Sequence, residues 1–178
     1  DEPLKINTGK NRLYRIPLSP SANFVMYSIL ENAAGAKSTS VTHHVTESGY
    51  TEEKNARVKV GSPQSSIEVG IFDVKNNKTV KIDKSQIPGI KDLPDYLSDY
   101  PERMPKNGEE IKDREVNILG PVWNQKEDLA VVVALSADNK DRWILLLNPK
   151  TGNLELLDRQ RDEAWIGGPG IGGWGRST

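Results

Sequence analysis

The chain has 178 residues, with 24 basic and 25 acidic side chains and no cysteine, for a formal net charge of -1. That length supports one full hydrophobic core or two small ones without disulfide staples, and so balanced a charge gives no long-range attraction to nucleic acid or an anionic membrane. The longest apolar run, residues 129–135, is strand-sized and well short of the roughly eighteen residues of a membrane helix, so no membrane span is predicted.

Strand-like pieces dominate in chain order. Residues 13–16 read as a short extended segment, and the turn formers Ser19, Pro20, Ser21, Ala22 and Asn23 precede a strand over 24–30 rich in aromatic and β-branched residues. Residues 33–40 read as a loop. Residues 41–45 and 56–60 read as strands joined through a polar stretch around Gly49. The densest basic segment, Lys54, Arg57 and Lys59, follows Glu47, Glu52 and Glu53, the pattern of a solvated strand face rather than a phosphate footprint.

An internal echo carries the architecture. Residues 69–83 and 144–158 each spell an apolar strand, an Asp or Asn, a turn with Asn or Gly, and a second strand, which predicts two antiparallel hairpins. A looser echo sets residues 18–23, before the strand at 24–30, beside residues 122–128, before the strand at 129–135. Together these units have the grammar of four-stranded propeller blades. The fold expected is all-β, a partial β-propeller of two to three antiparallel blades, with residues 1–178 as a single unit. Residues 84–115 form a proline-rich insertion, in which Pro88, Pro94, Pro101 and Pro105 exclude a long helix and a central strand. It reads as a blade-edge excursion or a linker, pinned by Tyr96, Leu97 and Tyr100.

Few residues offer chemistry. There is no Gly-x-Ser-x-Gly element, and the only histidines, His43 and His44, are adjacent on a predicted strand and therefore point to opposite faces, one buried and one exposed. With no cysteine to complete a tetrahedral set, the two histidines and Glu47 do not suggest a metal site. Residues 138–141, Asp-Asn-Lys-Asp, lack the staggered ligands of a calcium loop and read as a β-turn. The acid pairs Glu52–Glu53, Glu109–Glu110 and Asp162–Glu163 sit in polar contexts. No catalytic residue, metal ligand or cofactor is assigned, and substrate-binding residues are left open.

The C-terminal tract combines Trp165 and Trp174 with Gly167, Gly168, Pro169, Gly170, Gly172 and Gly173. It has neither the ending of a P-loop nor a dinucleotide fingerprint, so it reads as structural: the indoles stack against strands and the glycines let the backbone pass closely. Trp123 and Trp143 are assigned the same structural role.

Residues 120–124, 129–133, 138–144 and above all 157–175 resemble the amino-terminal β-propeller region of bacterial relatives of dipeptidyl peptidase IV, in the prolyl oligopeptidase family; residues 56–63 with 69–73, and 18–20 with 24–27, resemble further segments. The resemblance implies a non-catalytic cap that gates peptide access to a serine exopeptidase and docks to an α/β-hydrolase domain absent from this sequence. It also implies a periplasmic or secreted location, although no targeting segment is visible, and an opening at Asp1 rather than methionine reads as a processed or excised fragment. Open strand edges or apolar faces would allow self-association. The Ser-Pro-Asp-Gly turn common in that family stands here as Ser19-Pro20-Ser21-Ala22 and Asn124-Gln125-Lys126-Glu127, which lack the aspartate and glycine that favour a tight turn, and the family's glutamate pair for the substrate amino terminus has no match. Either the blades are divergent or this copy serves no working enzyme. The alternative is a binding or structural all-β module that offers the loops of residues 83–115 to a protein or glycan.

Overall fold

In the computed structural model, two apolar runs become inner strands of two separate four-stranded sheets. The structure describes residues 11–35, 37–56, 62–63, 65–93, 95–106 and 108–167. The first sheet has the order β1 (Arg12–Arg15), β2 (Phe24–Glu31), β5 (Ser66–Asp73), β6 (Lys78–Lys81), and a separate hairpin of β3 (Thr39–His43) and β4 (Glu52–Ala56) interrupts it in sequence. The second sheet is an uninterrupted meander, β7 (Val116–Trp123), β8 (Ala130–Ser136), β9 (Asp141–Leu147) and β10 (Leu154–Arg161). All pairings are antiparallel among the described strands.

Both predicted hairpins form. β5 and β6 turn at Asn77, whose φ of 47° is left-handed, and the Asp73 carboxylate accepts from the Asn76 backbone N–H at 3.0 Å. β9 and β10 turn at Gly152, φ 76°, where a Cβ would lie 2.8 Å from Val80 Cγ1 and 3.0 Å from the Lys81 carbonyl oxygen, so only glycine fits. The turn therefore also sets how closely the second sheet approaches β6 of the first.

The two Ser-Pro-like turns close despite their missing aspartate and glycine. The Ser19 N–H donates to the Phe24 carbonyl and the Ala22 N–H to that of Ser19, both at 2.9 Å; Asn124 and Glu127 repeat the pattern at 3.1 Å each. The fourth turn residue is left-handed in both, Ala22 at φ 60° and Glu127 at φ 57°. A non-glycine residue there costs about 1 kcal/mol or more. Glu127 offsets that strain with hydrogen bonds described below.

The core lies between the sheets. Phe24, Met26, Val69 and Ile71 of the first sheet meet Ala130, Val132, Trp143, Leu145 and Leu147 of the second, with Val116 and Ile118 of β7 beside them. β8 and β9 alternate buried and half-buried residues, which is the two-residue period of a strand with one face in the core.

The hairpin and the insertion differ from expectation. The β3–β4 strands lie earlier than predicted, so Thr39 and Ser40 are strand rather than loop, while residues 57–61 lie outside the described residues. His43 and His44 are both exposed, because this hairpin forms its own two-stranded sheet and buries neither face. The proline-rich segment joins β6 to β7 through short 3-10 turns at Lys84–Gln86, Asp95–Asp99 and Pro101–Arg103. Ile87 and Ile90, 1% and 4% exposed, pin it to the core, whereas Tyr96 and Tyr100 are largely exposed.

Candidate functional site

Two polar constructions tie the sheets and their connection together. The first is a clasp between the two equivalent turns. The Ser19 hydroxyl donates to the Glu127 carboxylate at 2.9 Å, the Ser21 N–H donates at 2.6 Å, and the Ser21 hydroxyl makes a further, short hydrogen bond. Ser19 and Glu127 are both buried, and Ser19 Oγ also accepts the Phe24 N–H at 3.1 Å. The Ser21 hydroxyl above all, with the Ser21 N–H and the Ser19 hydroxyl, holds the Glu127 carboxyl below the usual glutamate range in spite of desolvation.

Because that pKa is depressed in the fold, the clasp's contribution is complete above the ordinary glutamate value of about 4.3 and is lost as pH falls through the folded value. The stability gap between the natural chain and Glu127→Gln, measured by urea unfolding, is therefore expected to be large at pH 7 and to narrow on acidification below about pH 5. A gap independent of pH would show that the charge is not what the turn holds.

The second construction is a hub on Asp141, a carboxylate that is 0% exposed at the start of β9. Arg114 Nη1 donates to it at 2.6 Å, Arg159 Nε at 3.0 Å and Arg161 Nη1 at 3.2 Å. Each guanidinium also reaches an outer acid: Arg114 meets Asp138 at 3.0 Å, Arg159 meets Asp92 at 2.7 Å, and Arg161 meets Asp95 at 2.8 Å. Desolvation would raise the Asp138 carboxyl, but hydrogen bonds from Ser136, the Lys140 N–H and Arg114 outweigh it and hold it low.

The Trp143 ring lies beneath this hub, fully buried, with the guanidinium carbons of Arg159 and Arg114 at 5.4 and 5.9 Å from its centroid. Its indole N–H donates to the Pro88 carbonyl at 2.9 Å. Asp92, Asp95 and Arg114 belong to the connection, so the hub fastens that segment to the second sheet. An opening of about 430 Å³, lined by Asp92, Leu93, Asp95, Arg159 and Arg161, lies over it. Every charge in it already has a partner of opposite sign, so the chemistry it offers is positional.

The sequence-predicted residues separate. Trp143 is fully buried, and half-buried Trp123 stacks on Phe24 with centroids 5.9 Å apart. Trp165 is 73% exposed and so does not pack against a strand as expected; nothing described would meet a Cβ at Gly167. Gly168, Pro169, Gly170, Gly172, Gly173 and Trp174 lie outside the described residues. Residues 138–141 form a turn with Asn139 at φ 58°, but Asp141 leaves it for the hub. Glu52, Glu53, Glu109, Glu110, Asp162 and Glu163 are all exposed. No group of His, Cys, Asp and Glu suited to a metal ion occurs among the described residues, nor is any described helix long and apolar enough to cross a membrane. Sequence reasoning missed both the hub and the clasp.

No protein-family model matches the chain, and no curated protein does. Among solved structures, a Bacteroides ovatus protein assigned as a dipeptidyl aminopeptidase IV matches 85% of this chain with a TM-score of 0.50 at 13% identity. Porphyromonas gingivalis dipeptidyl peptidase 4 matches 84% of it with a TM-score of 0.51 at 12% identity. The chain spans only 18% of the length of each. Its two packed antiparallel sheets therefore have the fold of one portion of these bacterial dipeptidyl peptidase structures.

Proposed function

We propose that the chain is a non-catalytic, two-blade portion of a β-propeller that walls the substrate chamber of a dipeptidyl peptidase-like serine exopeptidase and docks to its hydrolase domain. The observation that carries this reading is the repetition of one unit. Each sheet follows the same turn geometry into its second strand, orders its four strands as they occur in sequence, and packs on the other through an aliphatic face. The likeness to two peptidase structures over most of this chain supports it.

The far face of the second sheet supports it as well. Val131 pairs with Leu146 and Val133 with Ile144 on the side away from the first sheet, beside Leu135, and all are only half-buried. A further sheet in a longer protein would cover this aliphatic surface, because one sheet already covers the equivalent surface on the other side. Peptide gating and a secreted or periplasmic location follow from the same reading.

This chain alone is expected to show no turnover of a glycyl-proline p-nitroanilide. Turnover abolished by a serine-reactive inhibitor would overturn the non-catalytic assignment. A longer gene product lacking any nucleophilic serine element after these residues would overturn the peptidase reading itself.

A further inference from the structure

The connection between the sheets leaves the fold and returns to it at one place. The Arg114 N–H donates to the Ile90 carbonyl at 2.9 Å and Lys91 meets Asp113 at 3.7 Å, so residues 91–113 depart and arrive side by side. Both ends are anchored. Ile87 and Ile90 in the core, with Asp92 and Asp95 on Arg159 and Arg161 of β10, hold the departing end, and Arg114 on Asp141 holds the returning one. Between the anchors the backbone is tied only to itself. From residue 96 to 113 every hydrogen bond among the described residues stays within the segment or reaches back to Asp95, as when the Arg103 N–H donates to the Tyr100 carbonyl at 2.9 Å. Residues 98–104 and 108–113 are exposed throughout.

An endoprotease draws several residues of extended backbone into its cleft, so susceptibility follows exposure and missing backbone hydrogen bonds rather than sequence position. Arg103 ends the last 3-10 turn, and Met104 after it is already extended, at φ -63° and ψ 141°. Lys112 lies among residues 109–113, which hold no regular structure. Neighbouring basic residues lack these properties. Lys75, Lys126, Lys140 and Lys150 sit in tight turns between paired strands, while Arg114, Arg159 and Arg161 are committed to the hub.

A cut in this segment falls between two complete sheets. β1, β2, β5 and β6 all precede it and β7 to β10 all follow. The two halves would still share the inter-sheet core, the hydrogen bonds from Ser19 and Ser21 to Glu127, and the ion pairs of Asp92 and Asp95 with Arg159 and Arg161. We propose that the connection is a processing site, at which an endoprotease specific for arginine or lysine hydrolyses the Arg103–Met104 or Lys112–Asp113 bond and leaves one folded protein of two chains. Water supplies the hydroxyl of the new carboxyl at Arg103 or Lys112 and a proton for the released amine of Met104 or Asp113. The site does not depend on the peptidase reading, since it rests on the connection and its anchors alone.

Limited digestion of the chain with trypsin, read by mass spectrometry and size exclusion, tests the geometry. Within residues 66–161 the first cut is expected after Arg103, Lys106 or Lys112. The two products should elute together at the size of the intact chain in native buffer and apart in urea, and cutting after Arg114, Arg159 or Arg161 should require unfolding. Arg103→Gln, Lys106→Gln and Lys112→Gln combined should slow the first cut about tenfold or more with an unchanged urea midpoint, because all three residues are exposed. In protein recovered from its native host, amino-terminal sequencing should find a chain that begins at Met104 or Asp113. The proposal is overturned if the first cut in that span lies in a strand or a tight turn, if the products separate in native buffer, or if the triple variant is cut as fast as the natural chain. Recovery of only uncut chain from the host would overturn it as well.

Discussion

Asp141→Asn is expected to lower the unfolding free energy by about 3 kcal/mol, the lower end of the range for breaking a buried ion pair. The Asp141 side chain is 0% exposed, and three guanidiniums converge on it, so neutralising it leaves their mutual repulsion offset only by the more exposed outer aspartates. The lower end applies because Arg114, Arg159 and Arg161 keep side-chain exposures of 15%, 24% and 26%, which lets water take up part of the lost interaction. The connection would loosen first, since Arg114 and the aspartates that hold Arg159 and Arg161 belong to it. Urea unfolding at neutral pH gives the magnitude, and hydrogen exchange over residues 88–95 gives the place. A loss below about 1 kcal/mol would mean that the arginines find equal partners in the outer acids alone.

Trp143→Ala should cost about 3–5 kcal/mol, the usual consequence of emptying a large, fully buried aromatic site. Three losses coincide there: the packing between the sheets, the indole hydrogen bond to Pro88, and the surface on which Arg114 and Arg159 rest. Trp165→Ala provides the contrast. At 73% exposure it should change stability by less than about 0.5 kcal/mol. Equal effects in parallel urea titrations would refute this assignment of anchor and surface tryptophan.

Much of the fold was legible because local rules act within one hairpin. The runs at residues 69–83 and 144–158 carry their own turn residues and alternation, so each predicts its pairing without long-range information. Ala22 and Glu127 show the limit of such rules. Neither is a residue that turn chemistry selects, yet both hold the left-handed position because the flanking strands impose the turn, and Glu127 gains a cross-sheet set of donors 106 to 108 residues away in sequence. The proline pattern predicts no long helix in the connection, whose described residues hold only short 3-10 turns, while Ile87 and Ile90 looked like ordinary loop residues until the core closed over them.

The hub was hidden by a single irregularity. Counting outward from the β9–β10 turn in regular register sets Asp158 opposite Trp143 and Gln160 opposite Asp141. The observed bulge between Leu156 and Asp158 shifts the count by one, so that Arg159 faces Trp143 and Arg161 faces Asp141. Composition, periodicity and turn residues by themselves determined an all-β chain of repeated antiparallel units, since those signals are local and period two needs no partner. Which face of β10 its arginines occupy, which tryptophan is buried and which carboxylates are enclosed were decided only by tertiary structure. A strand's side chains choose between core and solvent through register and through the sheet packed against them, and neither is written within the strand itself.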